Sequence, residues 1–227
     1  SGLGGTSGEP NRIDPYQAAG DLYVEFEVGV LETYERELDL STAVARAVYG
    51  VEQRQRTFTC EYMAHLVEDV ILMRVTAAGA AFSCSVWLDL LHDPDCQLSF
   101  STTAEQLLMT GDIRDGIEFQ VTAGVWQQGG SAGVMRDNRV HVQDATELIV
   151  AVDMGTSVSG ESIGRPLPTH DWAALLATHQ AEYSRHCGGL DLDLPFPEPD
   201  MPTDERVRRV KAGEADPGLS LLYFRLG

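Results

Sequence analysis

The stretch Asp21-Leu22-Tyr23-Val24-Glu25-Phe26-Glu27-Val28 decides the fold class. Leu22, Val24, Phe26 and Val28 alternate with Tyr23, Glu25 and Glu27, the period of two expected of a strand with one buried face. The same alternation returns downstream. Phe58, Cys60 and Tyr62 interleave with Thr57, Thr59 and Glu61. Phe82, Cys84, Val86 and Leu88 interleave with Ser83, Ser85 and Asp89, and Phe119, Val121, Ala123 and Val125 repeat the pattern. Val70 to Val75 and Glu147 to Val152 are more continuous apolar runs, as in strands covered on both faces. Ala43 to Ala47 locally resembles a helix, but both flanks read as strand, so the segment is predicted as strand.

Turn chemistry separates these runs. Asp115-Gly116 precedes a strand predicted to begin at Ile117. Asp137-Asn138 lies between Gly133-Val134-Met135-Arg136 and Arg139-Val140-His141-Val142. A type I′ turn needs positive φ at both central residues, which Asp and Asn tolerate well, so a hairpin is predicted there. Many short strands without intervening helices point to a mainly β protein, an antiparallel β-sandwich followed by a short helical linker.

The pattern changes after Gly160. Pro166 and Pro168 punctuate a linker, and Trp172, Leu175, Leu176, His179 and Tyr183 then recur at helical spacing. Thr169 is the predicted N-cap, with Asp171 in the first turn and Gly188-Gly189 as the stop. A short strand is predicted over Leu190-Asp191-Leu192-Asp193-Leu194, ended by Pro195, Pro197, Pro199 and Pro202. A second helix is predicted after Thr203 through Val207 and Val210. The apolar run from Leu219 to Leu226 reads as a helix that continues beyond Gly227. The expected division is a sandwich over 1–160, a helical linker with a short strand over 161–201, and the opening of a further helical region over 202–227.

Composition narrows the function classes. The 227 residues are 43% hydrophobic, enough for one sizeable core. The formal net charge is −19, which repels phosphate backbones and anionic lipid, so neither nucleic acid nor a membrane is an expected partner. No run approaches the roughly 20 apolar residues of a membrane-spanning helix. Ser1 to Asn11 is Gly-rich and polar, without the basic and apolar regions of a signal peptide. Cys60, Cys84, Cys96 and Cys187 form no CxxC pair and have no zinc-finger His spacing, so no metal ligand is assigned; Cys60 and Cys84 read as small buried hydrophobes.

Chemical motifs are sparse. There is no G-x-x-x-x-G-K-[ST] loop, no H-E-x-x-H and no nucleophile elbow around Ser157, and Gly129-Gly130 reads as a loop tip. Glu25 with Glu27, or Glu35 with Glu37, would share a strand face. Residues so placed lie about 6.6–6.8 Å apart along a strand, close to the roughly 6.5–9.5 Å between the carboxyl groups of inverting glycosidases. Alternation alone already predicts them as the solvated face of a half-buried sheet. His179 and Tyr183 lie on the apolar stripe of the linker helix and are expected to pack it against the sandwich. Trp87 is out of phase with Val86 and Leu88 and is expected to face outward; it and Trp126 are candidates for sugar stacking or for a buried partner contact.

A set of segments in fixed order carries a resemblance. Tyr16-Gln17-Ala18-Ala19-Gly20-Asp21-Leu22-Tyr23-Val24-Glu25-Phe26, Tyr34-Glu35-Arg36-Glu37-Leu38-Asp39-Leu40-Ser41-Thr42-Ala43 and the region Phe58 to Thr76 resemble consecutive motifs of family 95 glycoside hydrolases, the α-L-fucosidase-like family. Thr156-Ser157, His179 with Tyr183, Leu190 to Leu194, Pro202-Thr203-Asp204-Glu205-Arg206, and Asp216-Pro217 with Leu221-Leu222-Tyr223-Phe224 complete the series. Ala18, His65, Val67, Glu182 and Arg225-Leu226 depart from the family pattern. The resemblance implies a β-sandwich of the super-sandwich type, a preceding segment, and a following (α/α)6 catalytic barrel, opening over 202–227, that holds the catalytic acid and the water-activating residues. It implies an inverting hydrolase of terminal α-L-fucosyl or L-galactosyl linkages. On that basis no catalytic, cofactor-binding or metal-binding residue is assigned to this chain, and it is expected to be inactive alone. The partners implied are its own catalytic barrel and, through the whole enzyme, fucosylated glycans. A non-catalytic carbohydrate-binding sandwich and the front domain of a sugar phosphorylase are the alternatives.

Overall fold

The computed structural model describes residues 18–27, 30–51, 56–114, 116–159, 163–187, 192, 194–196 and 199–226. Twelve strands and three α-helices are present among them: β1 (Asp21–Phe26), β2 (Leu31–Asp39), β3 (Val44–Val51), β4 (Arg56–His65), β5 (Val70–Ala78), β6 (Phe82–Asp89), β7 (Cys96–Thr102), β8 (Gln106–Ile113), β9 (Glu118–Gln128), β10 (Ser131–Met135), β11 (Arg139–Ala145), β12 (Glu147–Thr156), α1 (Trp172–Cys187), α2 (Thr203–Lys211) and α3 (Pro217–Leu226). They build a four-stranded sheet, β1-β6-β11-β10, and an eight-stranded sheet, β2-β3-β4-β5-β12-β9-β8-β7. All pairings are antiparallel. The mainly β sandwich predicted from alternation is what the chain forms.

The inner faces meet in one apolar core. Phe82, Cys84, Val86 and Leu88 from β6 and Val140 and Val142 from β11 pack against Phe58, Cys60, Val75, Val121, Ala123, Val125, Leu148 and Val150 of the larger sheet. Phe26, Phe58 and Phe82 form a ring cluster with centroids 5.3–5.8 Å apart, tilted as aromatic quadrupoles prefer. β5 and β12 are covered on both sides, as their continuous apolar runs predict. Val75, Leu148 and Val150 face the core between the sheets, while Val70, Leu72, Ile149 and Ala151 meet Trp172 and Leu175 of α1 on the opposite face.

The hairpin at Asp137-Asn138 is present: both residues take positive φ (70° and 56°) and Met135 pairs with Arg139. Several local expectations need correction. Ala43 is in the β2–β3 turn at φ 53° and the strand starts at Val44, so only Val44–Ala47 of the predicted segment is strand. The cap of α1 is Asp171 rather than Thr169. Its Oδ1 accepts from Ala174 N at 3.2 Å and its carbonyl accepts the first helical bond, from Leu175 N at 3.0 Å. The hairpin β7–β8 is a finding that the alternation reading did not mark; β7 is an edge strand with no fully buried residue. Val28, Asp115, Gly188 and Gly189 lie outside the described residues, as does most of Leu190–Leu194; Leu192 and Leu194 carry no strand. Among the described residues no helix is long and apolar enough to cross a membrane.

Candidate functional site

Four places gather side chains beyond what a sandwich core needs. The first is the seat of α1 on the outer face of the larger sheet. The helical stripe delivers Trp172, Leu175 and His179 as buried residues. His65, at the end of β4, is 1% exposed and contacts Leu175 O through Nε2 at 3.0 Å, while its Nδ1 accepts from Glu68 N at 3.1 Å. An accepting Nδ1 leaves the proton on Nε2, so His65 donates to the helix carbonyl. His179 is equally buried, and its Nε2 lies 3.0 Å from Thr42 O. Its Nδ1 has no partner among the described residues. Tyr183 donates to Leu40 O at 2.8 Å. His179 and Tyr183 thus staple the helix to the β2–β3 turn, the packing role expected of them.

The second place is a guanidinium hub. Asp153 on β12 is 2% exposed, and Arg165 reaches it through Nε (3.1 Å), Nη2 (2.6 Å) and its backbone N–H (3.2 Å). Arg165 also pairs with the Asp69 carboxylate at 2.9 Å and donates to Asp69 O at 2.9 Å. Asp69 holds φ 53°, and Asp69 N donates to His65 O. The β4–β5 turn is therefore pinned from both ends, by His65 and by Arg165. It presents Leu66 and Val67, both 53% exposed, beside Met154 at 49%. Nothing in the sequence spacing signals this hub, because Asp69, Asp153 and Arg165 come from three separate segments.

The third place is a hollow of about 500 Å³ at one end of the sandwich, lined by residues including Leu22, Phe26, Tyr49, Phe58, Tyr62 and Ile71. It exists because eight strands face four. β1 ends the smaller sheet, and β2 extends beyond it with every residue exposed. Tyr34 and Leu38 share the inward face with Tyr49 and Ala45 by register yet stay 53% and 51% exposed. The thiol of Cys60 in this wall is pushed up to about 11 by burial, and that of Cys84 nearby in the core to about 12. Both are protonated small hydrophobes rather than nucleophiles.

The fourth place is the outer face of the smaller sheet. Trp87 points outward as its phase predicts and stacks on Tyr23, its cross-strand partner (5.0 Å, 6° between planes). Arg139 lies over the Trp87 ring at 3.8 Å. In the next row Ser85 Oγ is 3.3 Å from His141 Nδ1. Glu25 pairs with Arg139 at 3.6 Å and Glu27 stands 4.0 Å from His141; both carboxylates are well exposed. Glu37 pairs with Arg46 at 3.4 Å, also exposed. Trp126 instead lies flat on β9, stacked on His170 at 5.4 Å and packed toward α1; Gly124 makes room, since a Cβ there would collide with the indole and with Leu167. Among the described residues no group of three or more His, Cys, Asp or Glu is placed to hold a metal ion.

The sequence profile "Glycosyl hydrolase family 65, N-terminal domain" matches residues 3–161. The curated protein "Alpha-L-fucosidase 2" of Arabidopsis thaliana is 29% identical over 214 residues, 90% of this chain and 22% of that protein. The chain therefore spans about a fifth of that relative's length. Two solved structures, a "Putative kojibiose phosphorylase from human microbiome" and a bacterial glucoamylase complexed with acarbose, each superpose with a TM-score of 0.45 at 11% identity. They cover 72% and 74% of this chain, and 27% and 32% of their own.

Proposed function

Because this chain belongs to the glycosyl hydrolase family 65 N-terminal domain family, we propose that it braces and shapes the helical catalytic domain of an enzyme that cleaves terminal α-L-fucosyl linkages. The observation that carries the fucoside reading is the α-L-fucosidase relative, aligned with 90% of the chain. The motif order read from the sequence supports the same activity class, although the matching profile bears the number 65 rather than 95. On this reading residues 1–160 form the sandwich, 161–201 the linker and 202–227 the opening of the catalytic domain.

Two features of the structure support a bracing role. α1 is held to the sheet by a buried hydrogen bond from His65 and half-buried ones from His179 and Tyr183, so a domain entered through it starts from a rigid base. The pinned β4–β5 turn offers exposed Leu66 and Val67, the kind of apolar surface that marks a protein contact. No side chain of this chain is given a part in the chemistry. Inversion needs an acid for the leaving oxygen and a base for water, and both roles are proposed for the helical domain.

The test is an assay of an aryl α-L-fucoside with this 227-residue chain and with the longest open reading frame that contains it. Hydrolysis by the longer protein alone, with β-L-fucose as the first product by NMR, is the expected result. Turnover by the 227-residue chain, or release that requires inorganic phosphate, would overturn the proposal; the second outcome would assign the domain to a phosphorylase.

A further inference from the structure

We propose that the outer face of the smaller sheet is a binding platform for neutral sugar rings, built on Tyr23 and Trp87. Large aromatic side chains on the solvent face of a sheet expose apolar area that water disfavours. Here two of them are brought into one row by strand register, since Tyr23 of β1 pairs with Trp87 of β6. Their rings are parallel within 6°. Arg139 occupies the far face of the indole, which fixes the ring and leaves the tyrosine end of the row open. Tyr23 stands on an edge strand and is 41% exposed. A flat, pre-ordered aromatic end of this kind suits the C–H face of a pyranose, and its order limits the entropy lost on binding.

The flanking rows supply the polar half of sugar recognition. On one side of the aromatic row Asp21 pairs with Asp89; on the other Glu25 pairs with Ser85, which in turn pairs with His141. Carboxylates accept two hydrogen bonds from neighbouring hydroxyls, and Ser and His donate or accept. The charge of these rows selects against anionic ligands: Asp21, Asp89 and Glu25 surround the rings, Arg139 is engaged by Glu25 and the indole, and the chain carries −19 overall. Sulfated or uronic acid sugars are therefore excluded. This platform is independent of the hydrolytic proposal, since it would anchor a glycan without cleaving it.

The experiment titrates the full 227-residue chain with methyl α-L-fucoside, with a neutral galactose-terminated oligosaccharide and with a sulfated oligosaccharide, following the indole N–H signals of its three tryptophans. Saturable movement of the Trp87 signal by a neutral sugar, with Trp126 and Trp172 still, is expected. Dissociation constants should be on the order of millimolar, and Tyr23→Ala should weaken binding about tenfold, whereas Tyr23→Phe keeps most of it. Tyr23→Ala removes one ring of the stacked pair from an edge strand, and a retained cooperative unfolding transition verifies its fold. Three results would overturn the platform: no saturable shift with any neutral sugar at concentrations of order 10 mM, a preference for the sulfated sugar, or binding that survives both Tyr23→Ala and Trp87→Ala. None of them bears on fucoside hydrolysis by the longer protein, so the two proposals fail separately.

Discussion

His65 and His179 are equally buried, at 1% exposure, and their rings lie 5.8 Å apart, yet the two alanine variants should differ in cost. Truncating either ring leaves a cavity worth about 2–3 kcal/mol, by analogy with other large-to-small core changes. His65→Ala also removes two satisfied hydrogen bonds, to Leu175 O and from Glu68 N, at about 1 kcal/mol each. Its total is about 4 kcal/mol. His179→Ala removes one bond, to Thr42 O, and at the same time removes an Nδ1 that is buried without a partner among the described residues. Such an orphan already costs the native state about 1–3 kcal/mol, so its removal offsets the lost bond and the total falls to about 2 kcal/mol. Equilibrium urea unfolding followed by tryptophan emission measures both, with Trp172 beside the helix seat as reporter. The comparison is valid while the denaturant slope matches wild type. If His179→Ala proves as costly as His65→Ala, the orphaned nitrogen is not a native-state penalty and the reasoning fails.

Four further outcomes are expected. Arg165→Ala should cost about 2–3 kcal/mol, because it strands a carboxylate of 2% exposure. Asp153→Ala should cost less, since a guanidinium that is 38% exposed rehydrates in place; the reverse order in urea unfolding would contradict the hub. Ala43→Gly should stabilise by about 1 kcal/mol, as glycine takes φ 53° without the Cβ clash; a melting temperature that falls would refute this. The Arg206 guanidinium and the Leu219 N–H hold the Asp216 carboxyl down at about 2. A lowered folded value means the α2–α3 joint is strongest above the ordinary value of 3.8 and loosens as pH falls from there towards about 2; NMR titration of Asp216 should show that midpoint, and an ordinary one would remove the joint's acid sensitivity. The edge of β1, unpaired among the described residues, and the open hollow should make the 227-residue chain associate as concentration rises; a stable monomer by light scattering at high concentration would count against it.

Much of the fold was legible because burial has a local signature. Phe82, Cys84, Val86 and Leu88 announced the inward face of β6, and the same phase put Trp87 outside, where it stands. The spacing of Trp172, Leu175, His179 and Tyr183 located the stripe of α1 that meets the sheet. Thr169 and Asp171 are both good capping types two residues apart; which one caps depends on where the backbone turns helical, and Asp171 is the last residue before it does. β7 carries the same alternation, Cys96, Leu98 and Phe100 against Gln97, Ser99 and Ser101, but as an edge strand it buries that face only in part.

The candidate sites were legible only in part. Trp87 could be nominated from phase, but its stacking on Tyr23 under Arg139 depends on β1 and β11 flanking β6, and no local pattern carries strand order. The thiols of Cys60 and Cys84 could be assigned to the core from alternation, and their raised pKa values follow from that burial.

From the sequence by itself came the sandwich class, the inward and outward faces of most strands, the helical linker and its contact stripe. These follow from periods of 2 and 3.6 residues that any short window contains. The tertiary structure alone decided that eight strands would face four and leave a hollow. It also decided that Arg165 would bind both Asp69 and Asp153, and that His65 would meet a carbonyl 110 residues away and Tyr183 one 143 residues away. Contacts at such separations are set by which strands become neighbours, a property of the assembled chain rather than of any segment within it.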